Sequence, residues 1–152
     1  MRARRVRIGL AVLVVALVAA QVIRIDRRNP PVADDVAAAP PVAALLRRAC
    51  YDCHSNETVW PWYSMVAPAS WLLASDVKEG RREINFSTWT AYDAKKKSRK
   101  LKEVAEVVTK GEMPPWYYAA VHPKARLSPA ERESVRAWTA EEIAQLQGAS
   151  PS

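Results

Sequence analysis

Glycine is scarce in this 152-residue chain, four in all, and no stretch alternates β-branched with polar residues over a strand's length. Strand-rich folds are marked by such stretches, so helices are left as the main element. Histidine occurs twice, as His54 and His122, and cysteine twice, as Cys50 and Cys53. A structural zinc site takes four ligands. Here it would enlist every cysteine and histidine and require the neighbours Cys53 and His54 to reach one small ion together. No strand–helix–strand pattern surrounds the cysteines, so a thioredoxin-like dithiol lacks its setting. Phenylalanine occurs once, against six tryptophans. No internal repeat is present.

What the chain does have is Cys50-Tyr51-Asp52-Cys53-His54, a CxxCH run that holds both cysteines. This is the attachment signature of a c-type haem. Two thiols three residues apart can add to the two vinyl groups on one edge of the macrocycle. A histidine directly after the second thiol is then held under the iron. A Cys50–Cys53 disulfide would close a very short loop and leave His54 without a role. The motif implies one covalent haem c, attached at Cys50 and Cys53, with His54 as a metal ligand. Large flat indoles suit the walls of a pocket for such a cofactor, and are also ordinary core residues.

The formal net charge of +7 suits a nucleic-acid partner until it is located. Residues 1–28 carry seven arginines and one aspartate, a net +6; Asp34 and Asp35 bring −2, and the remainder holds only +3. The basicity flanks an uncharged run from Ile8 to Ile23, so no nucleic-acid partner is expected. Extended to Ile25, the run forms a helix about 27 Å long, just enough for a bilayer core, with Arg24 snorkelling to the interface. Arg2, Arg4, Arg5 and Arg7 ahead of it favour a cytoplasmic amino terminus. Residues 1–25 are therefore expected to anchor the chain in a bacterial inner membrane, single-pass, with the rest in the periplasm. The rival is a signal peptide cleaved at Val18-Ala19-Ala20; the length of the run and the arginines close behind it argue for a retained anchor. Either way the cysteines reach an oxidising compartment, where c-type haem is attached.

Residues 26–40, with Pro30-Pro31 and Pro40-Pro41, read as an extended spacer that lifts the domain from the membrane. The domain spans 41–147, and 148–152 read as a disordered tail. Four helices are predicted within it. Val42, Leu45, Leu46 and Ala49 form a short apolar face ending at the CxxCH run. A second helix begins at Pro68, carries Trp71, Leu72 and Val77, and stops at Gly80. Ser98 caps a third, with Leu101, Val104, Val107 and Val108 on one face before Gly111. Ser128-Pro129-Ala130-Glu131 is a capping box that opens the fourth, with Val135, Trp138, Ile143 and Leu146 inward. Ala94–Lys100, with its lysine triplet, reads as a solvated face or loop, or a docking patch for an acidic redox partner.

The position opposite His54 needs its own candidate. Met113, in Gly111-Glu112-Met113-Pro114-Pro115-Trp116, lies far enough downstream for the chain to wrap to the other face of a ring, and two prolines present it from a rigid extended loop. The alternatives are His122, which would give bis-histidine ligation, Met65, close behind His54, and an open site. Trp60-Pro61-Trp62-Tyr63 and Trp116 read as pocket walls, with an indole N–H or the Tyr63 hydroxyl reaching a propionate; a plain apolar minicore is the competing reading. Arg81 and Arg82 are further propionate candidates.

The chain resembles the bacterial haem-binding domain proteins related to cytochrome c. The resemblance rests on Cys50 to Asn56, Trp60 to Ser64, Val66-Ala67-Pro68 with Trp71-Leu72, Glu79-Gly80-Arg81, Asn85-Phe86-Ser87, Gly111 to Tyr117, and His122-Pro123 leading into Ala125 to Ser128. It covers nearly all of residues 41–140. It implies covalent haem, His54 as proximal and Met113 as distal ligand, and an all-α, cytochrome c-like small domain. With both axial positions filled by protein, the expected role is electron transfer with a membrane oxidoreductase or another redox protein, not catalysis. A haem-based sensor, an accessory subunit or a peroxidase-like enzyme is the alternative.

Overall fold

The computed structural model describes residues 2–148. Among them there are seven α-helices, three short 310 turns and no strand: α1 (Arg2–Ala20), α2 (Pro40–Ala49), α3 (Tyr51–His54), α4 (Ala69–Glu83), α5 (Ala94–Lys110), α6 (Trp116–Val121) and α7 (Pro129–Gly148). The all-helical expectation holds. Of the tail expected over 148–152, only Gly148 lies within the described residues, as the last residue of α7.

The four predicted domain helices are present, with two shifted ends. α5 begins at Ala94, not Ser98, because the Asp93 carboxylate caps it by accepting from the Lys96 amide at 2.7 Å. The lysine-rich stretch is therefore the first part of a helix. Lys100, at its end, is buried between Glu83 and Glu103, with Nζ at 3.3 and 2.9 Å. Gly111 ends α5 in the left-handed conformation, φ +77°. The capping box of α7 closes both ways. The Ser128 amide donates to Glu131 at 2.8 Å, and the Glu131 amide donates to the Ser128 hydroxyl at 3.3 Å.

α4 runs three residues past Gly80, so that glycine is not a stop. It is a contact point. A Cβ built there would lie 2.5 Å from the carbonyl oxygen of Cys53. Only a residue without a side chain lets α4 approach α3 so closely.

The core forms where α2, α5 and α7 meet the Phe86–Ala91 turn. Leu46, Phe86, Leu101, Val135 and Trp138 are its buried centre. Full burial of each such side chain contributes roughly 1.5–3 kcal/mol. α5 and α7 pack along each other, and Arg132 of α7 donates to the Val108 carbonyl at the end of α5 at 2.7 Å.

The amino-terminal third departs most from expectation. α1 ends at Ala20, not Ile25, and residues 21–23 form a tight turn. Tertiary bonds bend the chain there. The Gln21 side chain accepts from the Ala67 amide at 3.0 Å and donates to its carbonyl at 3.2 Å, and the Trp71 indole donates to the Ile23 carbonyl at 3.2 Å. The uncharged part of α1, Ile8 to Ala20, is about 20 Å long at 1.5 Å per residue. Among the described residues no helix is long and apolar enough to cross a membrane.

Residues 26–40 lack regular structure up to Ala39, as expected, but much of the stretch is laid along the domain as a strap. Asn29 donates to the Thr58 carbonyl at 3.0 Å, Asn56 to the Pro31 carbonyl at 2.7 Å, and the Ala33 amide to the Ser87 carbonyl at 3.0 Å. Val36 enters the core, and the Trp138 indole donates to the Ala37 carbonyl at 3.0 Å. Proline and alanine are compatible with a free spacer and with a docked strand; the polar partners on the domain decide between them.

Gly80→Ala is expected to lower stability by about 1–3 kcal/mol, because the added methyl forces α3 and α4 apart. An unchanged urea midpoint would remove this contact from the account. Asp34 supplies a pH dependence. Its carboxylate accepts from the Thr90 hydroxyl, the Thr90 amide at 3.1 Å and the Trp89 amide, and the Thr90 hydroxyl leads in holding its pKa below the usual range. A lowered folded-state pKa means stabilisation that is present above about pH 4 and lost as pH falls through the folded value. Melts at pH 6 and pH 3 are expected to separate more for the native chain than for Asp34→Asn.

Candidate functional site

The CxxCH run is a helical hinge. Cys50 follows the last residue of α2, its amide bonding the Leu46 carbonyl at 2.8 Å, and its own carbonyl accepts from the amides of Cys53 and His54 at 3.2 and 2.9 Å. This single turn is α3. It sets the two sulfurs one turn apart on the same side. Both cysteines are free thiols, with no disulfide between them. Burial pushes each thiol up to about 12, so both are neutral, unlike the low-pKa thiolate of a redox dithiol.

The intervening residues fasten the turn on two sides. Tyr51 faces the core, stacked on Phe86 with ring centroids 5.3 Å apart, covered by the Arg47 guanidinium at 4.7 Å, and bonded through its hydroxyl to Asp35 of the strap. Asp52 faces the other way. Its Oδ1 accepts from the Val59 amide at 2.9 Å, and its backbone carbonyl accepts from the Thr58 hydroxyl at 2.7 Å.

His54 is held by α4. Its Nδ1 lies 2.9 Å from the Gly80 carbonyl and 3.3 Å from that of Ile84. Carbonyls only accept, so Nδ1 carries the proton and Nε2 the lone pair. Burial lowers the pKa of the ring and keeps it neutral. A neutral imidazole whose far nitrogen is fixed by a carbonyl is the usual form of a metal-ligating histidine.

Met113 sits just past the end of α5, where the amides of Glu112 and Met113 bond back to the Val107 carbonyl at 2.9 and 3.3 Å. Its half-buried side chain packs against the core cluster that Cys50 also borders. Pro114 and Pro115 then turn the chain into α6.

α6 is clasped across the site, an element the sequence reading did not contain. The Tyr118 hydroxyl donates to Asp52 Oδ2 at 2.6 Å, and the Tyr117 hydroxyl to Asp76 of α4 at 3.2 Å. His122 stacks on Tyr118 with centroids 4.0 Å apart. Its Nδ1 donates to the Tyr118 carbonyl at 3.1 Å, and its Nε2 accepts from the Tyr63 hydroxyl at 3.2 Å. Both nitrogens of His122 are thus engaged, which weighs against it as an iron ligand. Tyr63 is joined to this clasp, not left free for a propionate. Desolvation, then the bond to Asp52, pushes the Tyr118 phenol far above its usual range.

The expected wall residues divide. Trp60 is half-buried and its indole N–H is buried without an acceptor, whereas Trp62 and Trp116 are 74% and 82% exposed. Arg81 is not a free anion binder: it donates to the Ser55 carbonyl at 2.8 Å, to Asn29 at 2.8 Å and to the Thr58 hydroxyl at 2.9 Å, tying strap, loop and α4 together. Arg82 pairs with Glu79 and Glu83.

These residues fit a haem. Paired neutral thiols and an oriented imidazole stand together at α3, the orphaned Trp60 N–H and the bare Trp62 indole follow on the next segment, and α6 brings a second bare indole, Trp116. A large flat apolar group bearing carboxylates would cover the rings and supply the missing acceptor.

A family comparison agrees. The family model described as "Haem-binding domain" matches residues 15–141. The chain belongs to the haem-binding domain family. The match starts within α1 and takes in the whole strap, in keeping with the strap's packing on the domain. Over 104 residues the chain is 28% identical to cytochrome c peroxidase Ccp of Escherichia coli (strain K12), which covers 66% of this chain and 22% of that protein. The chain thus spans less than a quarter of the length of this relative. No solved structure matches it.

Tyr118→Phe removes one charge-assisted bond of the clasp and is expected to cost about 1.5 kcal/mol, read as a lower urea midpoint at constant slope. Tyr117→Phe should cost less, its bond being longer and more exposed. Equal and negligible effects would mean that α6 is held by packing alone.

Proposed function

We propose that this haem-binding domain protein is a membrane-tethered c-type cytochrome that carries electrons on the periplasmic side of a bacterial inner membrane. The observation that carries the reading is the orientation of His54, Nδ1 on the Gly80 carbonyl and Nε2 without a partner among the described residues, directly after two neutral thiols on one helical turn. The haem, when bound, supplies one-electron chemistry at its iron. The rest is the work of the chain. Cys50 and Cys53 would hold the macrocycle edge through thioether links, formed by addition of each thiol to a vinyl group without an oxidant. His54 would bind the iron through Nε2. Met113, delivered by the Gly111 turn and the two prolines, would be the second iron ligand, and its thioether would favour the ferrous state. Trp60 would offer its N–H to a propionate, and the exposed rings of Trp62 and Trp116 would be covered by the macrocycle, while Tyr63 stays in the clasp with His122.

The tether is supported by the uncharged run from Ile8 to Ile23 with arginines on both sides. The partner is a membrane oxidoreductase or another redox protein. The similarity to a cytochrome c peroxidase raises a second reading, that the chain serves a peroxidase. Catalysis by this chain alone is disfavoured, since His122 has both nitrogens committed and no other histidine offers acid–base chemistry.

A pyridine haemochrome spectrum with intact-mass analysis is expected to give one haem c per chain, covalently bound; colourless protein at the bare polypeptide mass would end the proposal. The oxidised native protein should show a red-region sulfur-to-iron charge-transfer band and, when reduced, resist carbon monoxide. Met113→Ala should lose the band and bind carbon monoxide rapidly. Retention of the band in that variant would assign the distal position elsewhere.

A further inference from the structure

Where α1 gives way to the strap, the chain encloses a cavity of about 380 Å3 against the segment that follows Tyr63. Ile25, Met65 and Ala67 give it apolar walls, and Arg24, Arg27 and Ser64 line it as well. None of the CxxCH residues or Met113 borders it. Arg28 is neutralised by Asp26 at 2.7 Å, but Arg24 and Arg27 have no acidic partner among the described residues. Ser64 borders the hollow, but its buried hydroxyl is closed off from it. Two guanidiniums without a counter-charge beside one hollow are the donor set of a phosphate site.

We propose that this cavity binds the phosphate headgroup of an anionic phospholipid. The apolar length of α1 rises from its mouth, with Leu13, Val14 and Leu17 exposed, and Met65 and Val66 stand exposed on the domain side. Acyl chains have a surface to follow there, which free phosphate does not need. The volume is within the range of small-ligand sites. A lipid held here would fix the orientation of the haem domain to the bilayer, because Gln21 and Trp71 already bolt the end of α1 to the domain. The inference rests on the membrane-tethered reading.

The test uses the full-length haem-loaded protein, first located by fractionation and then purified in non-ionic detergent. Native mass spectrometry counts retained lipid during titration with phosphatidylglycerol or phosphatidylcholine. Preferential retention of phosphatidylglycerol is expected. Arg24→Gln/Arg27→Gln should weaken it about thirtyfold, at roughly 1 kcal/mol for each of the two interfacial arginines. Lys95→Gln/Lys102→Gln, which removes the same charge from α5, should leave it unchanged. Equal binding of the two lipids, an arginine variant that binds like the native chain, or a matching loss in the lysine control would each overturn the site. Complete competition by millimolar inorganic phosphate would make free phosphate the occupant and overturn the lipid. Recovery of the protein in the soluble fraction would sink the tether and the lipid together, whereas membrane recovery with any of the contrary binding results sinks only the site.

Discussion

The contact between α3 and α4 is the constraint on which the rest of the structure depends. Gly80 has no side chain, so its backbone can press against the Cys53 carbonyl. That approach brings two carbonyls, of Gly80 and Ile84, to one nitrogen of His54. A four-residue helix has no stability of its own. Its geometry is borrowed from α4 on one side and from the Tyr51–Phe86 stack on the other. The imidazole direction is therefore a property of helix packing, and the reactive groups of the site inherit it.

Two further devices close around this contact. The strap brings Asp34 and Asp35 to the Phe86–Ala91 turn, Tyr51 and Arg47, so residues outside the helical core brace the attachment turn from behind. In front, α6 is drawn over by Tyr117 and Tyr118, whose phenols end on carboxylates of α4 and α3. Because α6 begins three residues after Met113, the clasp also limits where the methionine can go. Arg81 links strap, loop and α4 through three bonds. Stability and site geometry are thus coupled through the same polar side chains.

Much of the fold was legible because local rules dominate where local partners suffice. The Ser128–Glu131 capping box, the Gly111 terminus and the apolar faces of α2, α5 and α7 rest on contacts within a few residues, and all appear where the pattern put them. The misread positions share a cause. Gly80 looked like a stop, Ser98 like a cap and residues 26–40 like a free spacer, yet each was decided by a partner distant in sequence or by a stronger competitor: the Cys53 carbonyl, the Asp93 carboxylate, the domain surface. α6 escaped notice since six residues between two prolines carry no helical period long enough to read.

By itself the sequence determined the chemistry available: two thiols and an imidazole in fixed order, a methionine framed by prolines, a charge-flanked apolar run, and a helical fold. Order along a chain suffices for these, as the groups are neighbours. Only the tertiary structure decided which nitrogen of His54 meets a carbonyl, that His122 spends its two nitrogens on Tyr118 and Tyr63, and that Arg81 braces a loop while Arg24 and Arg27 have no acidic partner among the described residues. Those outcomes depend on hydrogen-bond partners tens of residues apart. A polar atom has few lone pairs or protons to give, and the fold settles where they go.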